Sequence, residues 1–186
     1  LELVLSEETP DAAIAALLTA LADKGESSEE IIGFARIMRQ QVIPIQSRQE
    51  KLIDTAGTGG GADTFNISTT AAFIIAGAGV PVAKHGNRAL TSRCGSADLL
   101  AALGVSIECP PEVAQIALDS IGLAFMFAPL FPPAMKRVAQ IRRQLKHRTI
   151  FNMLGPLTNP ALAPYQIIGV YSPDLTEKMA EAALGL

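Results

Sequence analysis

The chain has 186 residues, of which 49% are hydrophobic, and its 15 basic and 18 acidic side chains give a net charge of −3 at pH 7. This length is sufficient for one full hydrophobic core, or for one domain and part of a second. The acidic balance argues against a general nucleic-acid-binding protein, and the most apolar stretch, 71–83, is too short to cross a membrane as a helix.

The cysteines and the N-terminal residues indicate the compartment. Cys94 and Cys109 lie in unlike contexts, and two cysteines do not make a disulfide framework or a thiolate metal site, so we expect reduced thiols. Residues 1–5 lack the basic start of a secretion signal. We therefore expect a cytoplasmic protein without a membrane segment.

Residues 1–48 are predicted to form a small all-helical domain. Apolar side chains at helical spacing indicate a helix that begins after Thr9 and ends at Gly25. Ser27 and Glu30 have the spacing of a capping box, which indicates the start of a second helix. Pro44 would end that helix.

Strands and helices alternate from residue 49 onward, which predicts an α/β domain over 49–186 with a mainly parallel sheet flanked by helices. The predicted strands are 52–53, 80–83, 105–107, 123–127 and 166–171. The predicted helices are 68–78, 96–103, 111–121, 133–145 and 175–184. We expect the helix around 132–146 to complete the helical domain, with four apolar side chains inward: Met135, Val138, Ile141 and Leu145.

The segment 54–69 is the most informative part of the chain, because four glycines fall within five positions between a strand and a helix. Glycines let backbone N–H groups crowd around an anion, and the helix start at Asn66 and Ser68 would add free N–H groups. No Gly-Lys-Ser/Thr follows, which excludes a Walker loop. The alternative is a tight strand–helix turn capped by Asn66 or Ser68.

A basic island, Lys-His-Gly-Asn-Arg at 84–88, follows about 20 residues later. A dinucleotide site would have an acid there, so the island suits phosphate better than a ribose diol. Lys84 could neutralise a diphosphate, and Arg88 could bind it with two parallel hydrogen bonds. His85 could contact substrate, donate a proton or cap a turn. The alternative is a solvated basic loop.

Other polar residues have two interpretations each. Ser92 and Ser96 could extend the anion site, or Ser96 could cap a helix. Arg142 could clamp a substrate carboxylate, although a surface charge is the interpretation that the residues alone favour. His147 is expected on the surface. We find no convincing nucleophile–base pair.

Five ordered blocks together resemble the anthranilate phosphoribosyltransferase family, which belongs to the nucleoside phosphorylase-like phosphoribosyltransferases. The resemblance covers nearly the whole chain. The blocks are Gly-Thr-Gly-Gly at 57–60, Thr-Phe-Asn-Ile-Ser-Thr at 64–69, Lys-His-Gly-Asn-Arg at 84–88, Gly-Ser-Ala-Asp-Leu-Leu at 95–100 and Arg-Thr-Ile-Phe-Asn-Met-Leu-Gly-Pro-Leu-Thr-Asn-Pro at 148–160.

The resemblance implies an enzyme of tryptophan biosynthesis that transfers the phosphoribosyl group of phosphoribosyl pyrophosphate to the amine of anthranilate. It also implies Mg²⁺ as cofactor, two small-molecule substrates bound near a hinge between the two domains, and a homodimer formed through the helical domain. Nucleic acid and membrane partners are not expected.

The resemblance also implies site residues. His85 and Arg88 would position substrate, and Ser68 would be a Mg²⁺ ligand. Phosphoribosyl pyrophosphate would be bound by Gly57, Gly60, Thr64, Asn66, Ser68, Thr69, Lys84, His85, Gly86, Asn87, Arg88, Ser92 and Ser96. Anthranilate would be bound by Gly57, Asn87 and Arg142, with His85 and Pro156 along its path.

Two departures from the family pattern are visible. The family has an aspartate after Gly-Thr-Gly-Gly, where this chain has Gly61, and Asp63 is out of register as a substitute. The family also extends further at both ends, and its C-terminal half carries an Asp-Glu pair that binds Mg²⁺. We therefore expect the chain to be incomplete at both ends and impaired as it stands.

Two alternatives share the architecture. A pyrimidine nucleoside phosphorylase would carry a Ser-Gly-Arg type of loop in place of 84–88. A non-enzymatic relative that binds nucleic acid would show a broad basic surface, against which the net charge of −3 argues.

Overall fold

The computed structural model describes residues 1–60, 64–89, 93–130 and 135–186. The predictions for Gly61, Asp63, Ser92 and the beginning of the helix at 133 lie outside these residues. No described helix has both the length and the apolar character needed to cross a membrane.

Helices and strands alternate after an all-helical N-terminal segment. The helices are α1 Glu2–Leu5, α2 Asp11–Lys24, α3 Ser28–Gln41, α4 Ile67–Gly77, α5 Ser96–Ala102, α6 Pro111–Ile121, α7 Met135–Leu145, α8 Phe151–Leu154 and α9 Leu175–Leu184. The strands are β1 Ile53–Gly57, β2 Val82–Gly86, β3 Leu123–Phe127 and β4 Tyr165–Gly169.

Local signals set several of these boundaries. The predicted capping box is present at α3, where the Ser27 side chain accepts a hydrogen bond from the Glu30 N–H and the Glu30 carboxylate accepts one from the Ser27 N–H. Pro111 is the first residue of α6, and Gly122 ends that helix in the left-handed conformation with φ of 70°. The predicted bounds of α6, β3 and α9 agree with the structure to the residue.

The four strands form one parallel sheet in the order β3-β2-β1-β4, which confirms the predicted fold class. The chain moves from β1 to β2 and β3 on one side of the sheet, and later places β4 on the other side of β1. The strand order therefore reverses between β1 and β4. In open parallel sheets, ligands bind beside the carboxyl ends of the strands at such a point.

Three strand predictions were wrong, and two of them matter for the site. Strands β1 and β2 extend through Gly57 and Gly86, so Asp54, Lys84 and His85 lie within strands and are buried. The strands were predicted too short because charged residues suggested a loop. Residues 105–107 are not a strand: the Val105 N–H donates to the Leu100 carbonyl and continues the turn that ends α5.

The helical segment shares a core with the end of the α/β region. Val138 and Ile141 of α7 are fully buried with side chains of α1, α2 and α3, and Met135 and Leu145 pack against them, as predicted for the inward face. The same cluster includes side chains of α8 and α9. A second cluster packs α6 on the sheet around Leu118 and Met126.

Candidate functional site

A cleft of about 610 Å³ lies at the carboxyl ends of β1 and β4, where the strand order reverses. We call it the glycine cleft. Its position is the one that the fold predicts for a ligand site. Its described lining consists of Thr55, Ala56, Gly57, Gly59, Gly60, Thr64, Phe65, Asn66, Ile67, Ser68, Ala71, Arg93, Cys94, Ile167, Gly169, Val170 and Tyr171.

The loop after β1 needs glycine for conformational reasons. Gly59 and Gly60 have φ of 68° and 71°, a region that side chains with a Cβ rarely adopt. Gly57 lies against Gly169 of the neighbouring strand, and a Cβ at Gly57 would be 3.2 Å from the Gly169 carbonyl oxygen. At these three positions the loop therefore presents bare backbone to the cleft.

The start of α4 faces the same cleft. Asn66 occupies the N-cap position, but its side chain makes no capping bond and instead donates to the Cys94 carbonyl at 3.1 Å. The alternative interpretation had Asn66 or Ser68 as the cap: Asn66 does not cap through its side chain, and Ser68 is the second residue of α4 and not its N-cap. This contact brings the segment after β2 to the glycine cleft. The positive end of α4 is available to an anion.

Lys84 lies behind this helix start and is 3% exposed. Its ammonium group donates to the Thr55 carbonyl and, at 3.2 Å, to the Ser68 hydroxyl, whose side chain lines the cleft. Burial lowers the pKa of Lys84 to about 8, and the Asp54 carboxylate partly opposes this effect. The glycine cleft and the basic island thus meet at Ser68 of α4.

The opposite face of the sheet carries a buried polar network. Asp54 is fully buried, and its carboxylate accepts from the His85 backbone N–H at 3.2 Å and from the Gln166 side-chain amide at 3.2 Å. The same Gln166 nitrogen donates to the Pro156 carbonyl at 2.6 Å. Pro156 lies in the Gly155–Leu157 turn, a single turn of 3₁₀ helix after α8. We call these residues the opposite-face network.

His85 belongs to this network through its ring. Its Nδ1 donates to the Gly155 carbonyl at 3.2 Å, and its Nε2 is buried with no hydrogen-bond partner among the described residues. Burial lowers the pKa of His85, although Asp54 opposes the shift, so the ring is neutral at pH 7. Because Nδ1 carries the proton, Nε2 is a hydrogen-bond acceptor.

Arg142 is half-buried on α7, so the surface interpretation is wrong. Its guanidinium group donates to the Asn152 side chain at 3.3 Å and lies 5.4 Å from the centre of the Phe151 ring. Burial lowers its pKa to about 10. No carboxylate among residues 1–60, 64–89, 93–130 and 135–186 forms an ion pair with Arg142. Its contacts in α8 directly precede the Gly155–Leu157 turn.

The end of the basic island is held differently. Arg88 does not line the glycine cleft; it forms a partly exposed ion pair with Asp98 at 3.1 Å. The Asn87 carbonyl accepts from the Ser96 hydroxyl at 3.3 Å, and the Asn87 side chain is exposed. Ser96 is the first residue of α5 and not its N-cap.

Thr69 of α4 is buried, and its hydroxyl has no partner among the described residues.

Sequence reasoning missed three residues that the structure brings to the site. Asp54 and Gln166 belong to the opposite-face network. Arg148 lies 3.6 Å from the centre of the Tyr171 ring and donates to the Gly60 carbonyl, so it ties the segment between α7 and α8 to the loop after β1. Asp54 opens the segment 54–69 that contains the glycine motif and could have been found from that position. The others are visible only once the strands are placed.

Ser68 is the residue of the glycine cleft that best fits a divalent cation. Among the described residues, His, Cys, Asp and Glu form no group of three or more that could hold a metal ion. Ser68 lines the cleft and has a hydroxyl oxygen to offer. Mg²⁺ is commonly held by one or two protein oxygens together with waters and substrate phosphates. Ser68 therefore fits as a single ligand of a phosphate-bound cation.

Two family models match the chain. The helical bundle domain of a glycosyl transferase family matches residues 1–42, and the a/b domain of that family matches residues 49–186. An anthranilate phosphoribosyltransferase from Moorella thermoacetica is 57% identical over all 186 residues, which correspond to 55% of its own length. One from Desulforamulus reducens is 55% identical over 184 residues, 98% of this chain and 53% of that protein.

Solved structures of relatives agree. Anthranilate phosphoribosyltransferase from Thermus thermophilus superposes with a TM-score of 0.90 at 48% identity, over 97% of this chain and 55% of that chain. The Saccharomyces cerevisiae enzyme in complex with PRPP and Mg gives a TM-score of 0.87 at 31% identity, over 98% of this chain and 54% of that chain. The chain thus spans about half the length of these relatives. With both domains matched in order, the chain belongs to this glycosyl transferase family, and its resemblance to the anthranilate phosphoribosyltransferases is confirmed.

Proposed function

We propose that the protein transfers the phosphoribosyl group of phosphoribosyl pyrophosphate to the amine of anthranilate, a step of tryptophan biosynthesis. The observation that carries the proposal is the glycine cleft, which lies where the strand order of the sheet reverses. The buried Lys84 ammonium group donates to Ser68, a residue of the cleft lining. Relatives of 52–57% identity bear the name of this activity. The cleft has the size and the donors for a phosphorylated sugar.

The donor substrate is proposed to lie in the glycine cleft. Gly57, Gly60, Thr64, Asn66 and Ser68 line it, so backbone N–H groups and hydroxyls would meet the phosphates. Lys84 would add charge through Ser68. The remaining predicted contacts with this substrate stay proposals: Thr69, His85, Gly86, Asn87, Arg88, Ser92 and Ser96.

The acceptor is proposed to lie between Arg142 and the Gly155–Leu157 turn. A half-buried guanidinium without a carboxylate among the described residues is suited to an anionic ligand, and the anthranilate carboxylate would supply one. His85 and Pro156 would line the path, as predicted, with Gly57 and Asn87 nearer the sugar. The buried Nε2 of His85, which has no hydrogen-bond partner among the described residues, would accept one amine hydrogen.

The chemistry then follows from charge. When pyrophosphate leaves the anomeric carbon, positive charge develops on the sugar and negative charge on the leaving group. Lys84 and the helix start would stabilise the leaving group, which is where catalysis gains most. The anthranilate amine is nucleophilic without a strong base, so the protein would act mainly by positioning.

Mg²⁺ is proposed as the cofactor, with Ser68 as one ligand, in line with the relative solved with PRPP and Mg. Bound to pyrophosphate oxygens, it would neutralise the charge of the leaving group. A cytoplasmic location and a homodimer formed through residues 1–48 and α7 also remain proposals. Leu3 and Leu17, which are 77% and 43% exposed on α1 and α2, offer apolar surface for such a contact.

The test uses the complete protein as its gene encodes it. Anthranilate fluorescence should fall only when phosphoribosyl pyrophosphate and Mg²⁺ are both present, and chelation of the metal should stop the reaction. No consumption of anthranilate under these conditions would refute the proposal. Light scattering after size exclusion would determine the oligomeric state.

The alternatives have their own assays. Phosphorolysis of thymidine without consumption of anthranilate would support the pyrimidine nucleoside phosphorylase. Retention on heparin together with no transferase activity would support the nucleic-acid-binding relative. Neither outcome is expected, because the relatives described above carry the transferase name and the net charge is −3.

A further inference from the structure

We propose that Asp54 and Gln166 are positioning residues for the aromatic acceptor: they hold the Gly155–Leu157 turn and the His85 ring in place. This inference rests on the proposed function, since that function places the acceptor beside the turn. Neither residue is expected to touch substrate. They act through the hydrogen bonds of the opposite-face network.

The parallel register brings the two residues together. Asp54 pairs with Gln166 across β1 and β4, so their side chains lie on the same face of the sheet. Thr55, the next residue, points to the other face and donates from its hydroxyl to the Ser68 carbonyl at the glycine cleft. Successive residues of β1 therefore serve opposite faces of the sheet.

The Gln166 amide can take only one orientation. Its nitrogen lies 3.2 Å from the Asp54 carboxylate and 2.6 Å from the Pro156 carbonyl, and both groups accept hydrogen bonds only. The two hydrogens of one amide nitrogen are thus assigned to these two acceptors. A carboxylate at 54 is what keeps the amide nitrogen directed towards the turn.

The same turn fixes His85. The Gly155 carbonyl holds the proton of the ring on Nδ1, and the Asp54 carboxylate holds the backbone of His85 through its N–H. Arg39 and Thr158 also bind the turn, at the Leu157 and Gly155 carbonyls. Loss of either Asp54 or Gln166 would weaken the bond to the Pro156 carbonyl and so shift Pro156 and the accepting Nε2 of His85. The acceptor pocket would widen while the glycine cleft kept its donors.

The experiment is a kinetic comparison in the complete protein. Gln166→Met keeps the length of the side chain and removes both donors. We expect the KM for anthranilate to rise about tenfold, while the KM for phosphoribosyl pyrophosphate changes less than about twofold. Asp54→Asn should act in the same direction, because an amide donor at 54 forces the Gln166 amide to turn its oxygen towards it.

The double variant Asp54→Asn/Gln166→Met should raise the anthranilate KM no more than the worse single variant, because both residues act through one turn. Gln115→Met makes the same chemical change on the exposed face of α6 and should alter neither KM. Ile31→Val, a change in the helical core, controls for general destabilisation. If Gln166→Met does not fold, Gln166→Asn can replace it, because the side chain is one methylene shorter and its amide cannot reach the turn. This variant should also raise the KM for anthranilate and leave that for phosphoribosyl pyrophosphate nearly unchanged.

The outcomes separate the two proposals. A wild-type protein that does not consume anthranilate refutes the proposed function. An active wild type whose Gln166 variants raise both KM values equally, or neither, refutes this inference alone. If the fold-changes in the anthranilate KM of the two single variants multiply in the double variant, the inference is also refuted, because the two side chains would then act independently.

Discussion

The glycine cleft and the opposite-face network lie on the two faces of one sheet, and they are built in different ways. The cleft is made largely of backbone, because Gly57, Gly59 and Gly60 leave amide groups uncovered. The network is made of buried side chains, and each of its donors faces a specific acceptor. A backbone site suits phosphate, which accepts hydrogen bonds from any direction. A side-chain site can discriminate shape.

The two faces also differ in how they use charge. Lys84 is buried next to hydroxyl and carbonyl oxygens, and Arg88 of the basic island pairs with Asp98 outside the lining of the glycine cleft. On the other face, Asp54 is buried among donors and His85 is neutral. The comparison teaches that alternation along one strand pair can place a buried lysine on one face of a sheet and a buried carboxylate with its donors on the other. The following variants test that separation.

The largest effect is expected from Lys84→Met. The substitution removes a buried charge that donates a hydrogen bond to Ser68 in the cleft lining. A charge-assisted hydrogen bond contributes about 1.5–3 kcal/mol. We expect the KM for phosphoribosyl pyrophosphate to rise roughly 100-fold, with little change in the KM for anthranilate. Lys51→Met, which changes an exposed lysine just before β1, is the control. Equal rises in both KM values would mean that the faces are not separate.

Arg142→Ala should have the next largest effect, on the other substrate. The loss of a half-buried guanidinium should raise the KM for anthranilate about 30-fold, equivalent to about 2 kcal/mol, and leave that for phosphoribosyl pyrophosphate nearly unchanged. Arg143→Ala removes an exposed guanidinium from the next position of α7 and serves as the matched control. If both variants behave alike, Arg142 has no role in binding.

These two residues show how far the sequence can be interpreted. Lys84 is predicted because it lies in a contiguous motif, and the fold class and most helix boundaries follow from periodicity and capping. Arg142 is misjudged from its residues alone, because burial of a charged side chain depends on distant contacts in α8. Asp54 and Gln166 are 112 residues apart, and no local pattern pairs them.

The same limit explains the strand errors. Parallel strands β1 and β2 run into the polar motifs because the sheet supplies partners for buried charge, and periodicity does not reveal those partners. The strand predicted at 105–107 failed for the opposite reason. Its residues have strand propensity, but the backbone there bonds to the end of α5 and Ile107 is buried against Leu100 and Phe127.

The pH dependence gives a third test of the comparison. Because the pKa of Lys84 is about 8, binding of phosphoribosyl pyrophosphate should weaken about tenfold for each pH unit above that value, whereas anthranilate binding should not. The free energy of unfolding should move the other way. A lysine whose pKa is lower in the fold binds fewer protons there, so its penalty diminishes between pH 8 and 10.5.

Binding would be followed by titration calorimetry from about pH 7 to about pH 9.5, and stability by urea unfolding over the same range. Lys84→Met should abolish both dependences, since the titrating group is gone. A pH profile that persists in the variant would assign the dependence to another group.

The smallest effect is expected from Arg88→Ala, which tests whether Arg88 contributes to phosphate binding together with Lys84. Arg88 is half exposed and already paired with Asp98, so its removal should cost at most about 0.5 kcal/mol of stability. If the guanidinium leaves Asp98 for a phosphate, the KM for phosphoribosyl pyrophosphate should rise roughly three- to fivefold and that for anthranilate should not change. Arg48→Ala removes an exposed guanidinium that pairs with the largely buried Asp119 and is the control. An unchanged KM would mean that Lys84 and the backbone N–H groups alone hold the phosphates, because Arg88 would then contribute no more than any surface charge.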